Sequence, residues 1–419
     1  MYKKTTLDNG IRVVTEKIPY VRSVSVGIWV GTGSRNENKK NNGISHFIEH
    51  MLFKGTTNRS AKEIAQSIDN IGGQLNAFTG KECTCYYTKT LDSHIDIAVE
   101  ILADMFFNST FDTKDIEIEK RVILEEIDMY EDSPEELVHD VLSKTVWRGN
   151  SLSYPILGTE KCLGIIDAEM IREYLHSNYT PDNCVISVAG NFDNENLTSL
   201  LNKYFRNWQP EQRRKSPLRK AEFFSDIAIK EKDIEQVHMC IAFDGIEHGS
   251  EYLYPLLAIN SILGGGMSSS LFQKIREEKG LVYSIFSYPS SYKNAGLFTV
   301  YAGMNPENLA EVVRLIMQEI ESLANNGIGE DELIKCREQL IGNYMLGLES
   351  TSARMNHIGK SELLLGRIYS PEQVIQKIQD IDLDDIRTVI DRVFDFNKVS
   401  FSLVGNIKKD LDIKSLLKN

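Results

Sequence analysis

Several residues near the end of the chain repeat residues in its middle at one constant offset of 215 positions. In both copies an aspartate precedes a predicted helix, and an apolar strand then ends in a Gly-Asn pair. The matching pairs are Asp167 and Asp382, Arg172 and Arg387, Ser187 and Ser402, and Gly190-Asn191 and Gly405-Asn406. A fixed offset kept through helix, strand and turn indicates an internal duplication. We therefore expect two tandem, homologous α+β half-domains of ordinary domain size.

A polar, proline-containing, basic run from Gln209 to Arg219 is the best candidate for a linker between the halves. We accordingly predict half-domains at 1–208 and 220–419, with a linker at about 209–219.

The stretch from Gln74 to Thr79 predicts a strand that forms a hairpin with a second strand from Cys83 to Thr90.

Composition excludes several classes of protein. The 419 residues carry a net charge of −13, which argues against nucleic-acid binding and favours basic substrates or partners. The six cysteines form no C-x-x-C pair, so buried free thiols in a reducing compartment are expected. The first residues include neither an apolar signal region nor an arginine-rich presequence, and no apolar run is long enough to span a bilayer. We therefore expect a cytoplasmic protein.

The stretch His46-Phe47-Ile48-Glu49-His50 combines metal-ligand chemistry with helical apolar spacing. Residues four apart lie on one face of a helix, so His46 and His50 can both reach one metal ion. Glu49 lies on the same side and can act as a base on water. The alternative is a buried structural histidine cluster, but burial of all three polar groups without a partner would be costly. Only the first half has this motif, because Asn260-Ser261-Ile262 stands at the equivalent position.

A third ligand is expected from a neighbouring element, since catalytic zinc sites usually have three protein ligands. Glu119 and Glu126 are two helical turns apart and share a face with Val122 and Ile123. An inward-pointing acidic pair and a solvated acidic helix are both compatible with this segment alone.

Four segments together resemble the pitrilysin family of zinc peptidases, which carry the inverted motif H-x-x-E-H. They are His46–Thr56 with the motif itself, Arg121–Ile127 with the distal glutamate, Asn9–Val14 and Arg276–Ser284. The resemblance covers the whole chain, and the size is closest to that of the processing peptidases. It implies half-domains that each have a mostly antiparallel sheet covered by helices and together form half of a clamshell chamber.

The resemblance also implies the roles of the metal-site residues. One Zn²⁺ per chain would be held by His46, His50 and Glu126, with Glu49 as general base. Glu119 would orient a ligating histidine from behind.

Substrate-binding roles follow from the same resemblance. Arg276 and Tyr283 would stabilise the substrate carbonyl, although their local sequence suggests a solvated helix residue and a core residue. Asn76 and Ala77 belong to a strand on which an extended peptide would be laid. Phe53 matches a residue that lines the pocket beyond the scissile bond, and core packing is its alternative role.

Glu136 and Asp140 match acidic residues that engage arginine in presequence-cleaving relatives. An exposed acidic pair on a helix is the alternative.

We expect a zinc-dependent endopeptidase for unfolded or short, presequence-like peptides with basic residues, acting as a homodimer. A heterodimer with an inactive homologue is the alternative assembly, and a non-catalytic scaffold or binding subunit is the alternative function.

Overall fold

A computed structural model of the chain describes residues 2–209 and 218–407. The linker predicted at about 209–219 therefore lies mostly outside the described residues. The strands are β1 (Tyr2–Thr6), β2 (Arg12–Lys17), β3 (Ser23–Val30), β4 (Gln74–Thr79), β5 (Thr84–Leu91), β6 (Cys184–Gly190), β7 (Ile227–Glu231), β8 (Val237–Asp244), β9 (Val282–Tyr292), β10 (Ala295–Met304) and β11 (Val399–Gly405).

The helices lie between these strands along the chain. They are α1 (Ile44–Met51), α2 (Ala61–Asp69), α3 (Ile95–Asn108), α4 (Thr113–Glu131), α5 (Pro134–Val146), α6 (Glu160–Ile165), α7 (Ala168–Asn178), α8 (Asn194–Phe205), α9 (Leu253–Leu263), α10 (Leu309–Asn326), α11 (Glu330–Gly347), α12 (Thr351–Leu365), α13 (Pro371–Gln379) and α14 (Leu383–Val393). Phe272–Glu277 forms a π-helical segment, with i→i+5 bonding such as Glu278 N to Gln273 O at 2.9 Å. Arg276, whose local sequence suggests an ordinary helix, lies in this segment.

The two sheets have the same topology. The first sheet has the order β1-β2-β6-β3-β5-β4, and the second has the order β7-β11-β8-β10-β9. If the extra edge strand β1 is set aside, each half arranges its own strands in the order first, fifth, second, fourth, third. In both sheets only the first and fifth strands pair in parallel. The predicted duplication and the α+β fold with mostly antiparallel sheets are therefore confirmed.

The chain divides into two compact units that are discontinuous in sequence. The first comprises Met1–Ile127, Tyr154–Leu218 and Leu346–Ser370, and the second comprises the intervening segments and the rest of the chain. Helix α12, from the second half of the sequence, packs on β2, β3 and β6 of the first sheet. Helix α5, from the first half, packs on β7, β8 and β11 of the second sheet. The continuous half-domains at 1–208 and 220–419 stay a prediction.

Close approach between α12 and the first sheet depends on glycine. A Cβ atom on Gly359 of α12 would lie 2.2 Å from Nε1 of Trp29 and 2.7 Å from Oγ of Ser187. These two atoms already form a buried hydrogen bond of 2.8 Å. The missing side chain therefore lets the helix backbone lie directly against the sheet.

Two further expectations concern the cysteines and membrane-spanning helices. All six cysteines lie in the described ranges, and they are buried and form no disulfide, which confirms the expectation of buried thiols. Over residues 2–209 and 218–407, none of the helices has the length and apolarity needed to cross a membrane.

Candidate metal centre

The apolar face of helix α1 is buried in the core, and this fixes the position of the two histidines that the helix carries. Ile44, Phe47, Ile48 and Met51 are at most 1 % exposed in the core of the first unit. The buried carboxylate of Glu37 accepts bonds from the N–H groups of Gly43, at 2.7 Å, and Ser45, at 2.9 Å. Unpaired N–H groups at a helix start favour such an anion. The sequence did not single out Glu37, and only its acidic character shortly before α1 could have suggested this contact.

The structure brings His46, His50 and Glu126 together. Oε2 of Glu126 lies 3.7 Å from Nε2 of each histidine, and one potential ligand atom from each residue falls within 4.8 Å of the others. The two imidazole rings are 4.6 Å apart between centroids. Donor atoms about 2.1 Å from one tetrahedral ion are roughly 3.4 Å apart, so the observed spacing suits a shared ion.

The donor set fits a zinc ion on chemical grounds. Oε2 of Glu126 is buried without a hydrogen-bond partner in the described part of the chain, although it faces two ring nitrogens. Burial and the neighbouring His50 lower the pKa of His46 to about 3, so this ring is neutral near pH 7. Neutral imidazoles and one carboxylate are a usual ligand set for catalytic zinc.

Glu119 contacts His50 at the ring nitrogen that does not face Glu126. Its Oε2 lies 3.0 Å from Nδ1 of His50, and its Oε1 lies 2.5 Å from Nζ of Lys54. Glu119 is 1 % exposed, so the inward-pointing acidic face of α4 is what the structure contains. Lys54, which compensates this buried charge, was missed in the sequence.

The sequence placed Val122 on the same buried face, and this was wrong. Val122 is 45 % exposed, whereas Ile123 and Ile116 are buried. At about 100° per residue, Val122 projects on the opposite side of Glu119 from both isoleucines, so the buried arc of α4 excludes it.

Glu49 lies beside the ligand group and is half-buried. Desolvation raises its pKa, and the hydroxyl of Thr79, which donates to its Oε2 at 2.5 Å, opposes that rise. Thr79 was predicted only as the last residue of a strand. Its hydroxyl could not be connected with Glu49 from the sequence.

Strand β4, predicted with the same bounds that the structure has, lies at the edge of the first sheet. Asn76 is exposed, and its Oδ1 accepts a 2.8 Å bond from the backbone N–H of Ala77. That N–H is therefore not used by the neighbouring strand β5. Phe53 is half-buried and packs against the core of the first unit.

Four predicted site residues belong to the second compact unit. The guanidinium of Arg276 lies 4.7 Å from the ring centroid of Phe272, in the π-helical segment. Tyr283, near the start of β9, is 76 % exposed, which is unlike a core residue. On α5, Glu136 is exposed and Asp140 is half-buried. Their roles in substrate binding stay predictions.

Comparison with known proteins identifies the family. A family profile described as insulinase (peptidase family M16) matches residues 12–160, and one described as peptidase M16 inactive domain matches residues 166–340. The chain is 46 % identical over 97 % of its length to the complete uncharacterized zinc protease YmxG of Bacillus subtilis. The chain belongs to peptidase family M16. The resemblance to the insulinase or pitrilysin family is thereby confirmed.

Another relative and two solved structures are similar to the chain over nearly its whole length. An uncharacterized zinc protease of Streptomyces coelicolor, SCO5738, is 38 % identical over 97 % of this chain and 90 % of its own length. A protease from Helicobacter pylori has the same fold, with a TM-score of 0.89 at 22 % identity, covering 97 % of this chain and 99 % of that one. A chain of complex III2 from Candida albicans also shares the fold, with a TM-score of 0.85 at 22 % identity and 99 % of each chain covered.

Proposed function

We propose that this M16 chain is a zinc-dependent endopeptidase that cleaves unfolded or short peptides. The observation that carries the proposal is the grouping of His46, His50 and Glu126, with Glu49 close enough to interact electrostatically with His50 and Glu126. One zinc ion per chain would be held by the first three residues. When bound, the ion supplies the Lewis-acid chemistry that makes water a nucleophile near neutral pH.

The chain's own residues would then move the proton. Glu49 takes it from the attacking water and returns it to the leaving amine, as a general base and then a general acid. Burial raises the pKa of Glu49 toward the range in which a carboxylate can do both. Glu119 contacts Nδ1 of His50, so Nε2, which faces Glu126, would be the nitrogen that holds the ion.

An extended peptide would bind by adding a strand to β4. This strand is at a sheet edge, and the Ala77 N–H is directed away from β5. Backbone hydrogen bonds give affinity in such complexes, so they require a substrate segment without stable structure of its own. Phe53 would contact the residue that follows the scissile bond.

Further substrate contacts are proposed for residues that the family resemblance singles out. Arg276 and Tyr283 are both exposed and offer donors suited to a carbonyl oxygen or an oxyanion. Glu136 and Asp140 would bind basic side chains of presequence-like substrates, in keeping with the net charge of −13.

The decisive experiment replaces the general base. Glu49→Gln should abolish cleavage of fluorogenic peptides and leave zinc bound at one equivalent. Glu125→Gln, in an exposed position next to a proposed ligand, is the matched control and should keep its activity. A Glu49→Gln protein that cleaves at the wild-type rate would refute the proposed mechanism.

A non-catalytic scaffold or binding subunit is the second candidate function. The match of residues 166–340 to an inactive-domain profile keeps this alternative open. Zinc-free protein without peptidase activity, purified without chelators, would favour it. The homodimer and the cytoplasmic location stay proposals. Light scattering of the purified chain, alone and with a candidate inactive homologue, distinguishes a homodimer from a heterodimer.

A further inference from the structure

The carboxylate of Glu49 is held by a residue of the edge strand. Thr79 is the last residue of β4, and its Oγ1 donates to Oε2 of Glu49 at 2.5 Å. The terminal torsion of a glutamate side chain is broad and intrinsically unselective. The direction of the two oxygens therefore depends on a bond such as this one.

The hydroxyl of Thr79 lies next to that of Thr84. Its cross-strand partner Thr84 is fully buried and donates to the carbonyl oxygen of Thr32 at 3.0 Å. The two threonine oxygens lie 3.5 Å apart. A hydroxyl has a single proton, so the proton of Thr84 is directed to Thr32 and that of Thr79 is available for Glu49.

The hairpin that carries both threonines is also fixed to the segment that leads into α1. Backbone bonds join Ser34 N to Gly80 O at 3.2 Å and Arg35 N to Lys81 O at 2.8 Å. The buried guanidinium of Arg35 forms a 2.5 Å ion pair with Glu82. The hairpin is thus anchored to the segment that leads into α1.

We propose that Thr79 is a positioning residue for the general base. It fixes one oxygen of Glu49 and leaves the other directed toward the water that will attack. Since Thr79 also ends the strand on which the peptide would lie, one short segment aligns both the substrate and the base. This inference rests on the proposed peptidase function.

The test compares Thr79→Val with Thr79→Ser. Valine has the same shape but no hydroxyl, so kcat should fall about tenfold to hundredfold because the base is misaligned. KM and zinc affinity should stay within about twofold, and serine should restore kcat to within about threefold, on the same reasoning. A merely structural role of Thr79 would not be expected to give this separation of kcat from KM.

Thr88→Val is the matched control. Thr88 is buried on β5, and its hydroxyl has no hydrogen-bond partner within residues 2–209 and 218–407. The same substitution there should leave kcat unchanged. Thr79→Ala is a second variant, which removes the same hydroxyl with a smaller side chain and should lower kcat by a factor similar to that of Thr79→Val.

Three outcomes would overturn the inference while leaving the peptidase proposal intact. They are wild-type kcat in Thr79→Val, a Thr79→Ser protein as slow as the valine variant, or equal losses in Thr88→Val. If Thr79→Val does not fold, wild-type kcat in folded Thr79→Ala overturns it. A wild-type protein that is as inactive as Glu49→Gln would overturn both proposals together.

Discussion

Nδ1 of His50 lies 3.0 Å from Oε2 of Glu119, although the two residues are 69 positions apart in the chain. This contact selects the ring nitrogen that can face a metal, and Lys54 neutralises the carboxylate from its other side. A buried carboxylate whose two oxygens both have a partner holds the imidazole ring in one orientation. The affinity of the site for zinc should therefore depend on a residue that does not bind the ion.

Glu119→Gln should weaken zinc binding about tenfold to hundredfold, because the amide polarises the ring less and leaves Lys54 without a counter-charge. Competition with a chromophoric chelator measures this affinity. Glu117→Gln on the same helix is the control, since its side chain is 62 % exposed. Equal affinities of the Glu119 variant and wild type would contradict the proposed role.

Ala77→Pro should impair substrate binding. Proline lacks the N–H that Ala77 directs away from β5, and edge strands are the sheet positions that tolerate it. We expect KM for a peptide substrate to rise about tenfold, as loss of one backbone hydrogen bond costs roughly 1 kcal/mol or more. Ala77→Ser keeps the N–H and should retain the wild-type KM. An unchanged KM in the proline variant would argue against strand addition at β4.

Gly359→Ala should destabilise the first unit. The added methyl would lie 2.2 Å from Nε1 of Trp29, and relief of this overlap should cost about 1–3 kcal/mol. The thermal midpoint should fall by several degrees. Gly342→Ala in α11 has open space around the new methyl and should be neutral or stabilising by up to about 1 kcal/mol. Equal midpoints for the two variants would contradict the tight packing of α12.

His139 should make stability sensitive to pH. Burial lowers the pKa of His139 from 6.5 to about 4. In the folded chain its Nδ1 lies 2.7 Å from the hydroxyl oxygen of Tyr288. Between these pH values the unfolded chain binds more protons at this position than the folded chain. Its contribution is therefore complete above pH 6.5 and decreases as the pH falls, by about 3 kcal/mol at pH 4.

Urea denaturation at several pH values tests this linkage. His139→Gln should lose stability less steeply than wild type between pH 7 and 4, whereas His176→Gln, at an exposed position on α7, should follow the wild-type curve. Parallel curves for wild type and His139→Gln would rule out the contribution of His139.

Local and repeated patterns allowed much of the fold to be predicted from the sequence. The offset of 215 residues indicated the duplication, and turn residues gave the bounds of β4 correctly. Strands β1 and β7 were missed because neither shows the apolar alternation that marks a half-buried strand. The π-helical segment has the same apolar spacing as an α-helix over so short a length.

The candidate site was only partly accessible for a related reason. His46, Glu49 and His50 lie within one turn of a helix, so their chemistry is visible in the sequence. Glu37 and Thr79 act through contacts that depend on tertiary structure, and neither residue type nor spacing distinguishes them from other loop and strand residues. The sequence also placed Val122 on the buried face, because a two-turn spacing fixes a face but not its width.

Helices α5 and α12 each pack in the compact unit formed mainly by the other half of the sequence. A duplicated half of the sequence therefore does not coincide with a compact unit. A gene fragment that encodes only the first half would supply the metal ligands but leave β2, β3 and β6 without the helix that covers them. Such a fragment should aggregate or require the other half in trans. Neither half of the sequence by itself contains all the elements of one compact unit.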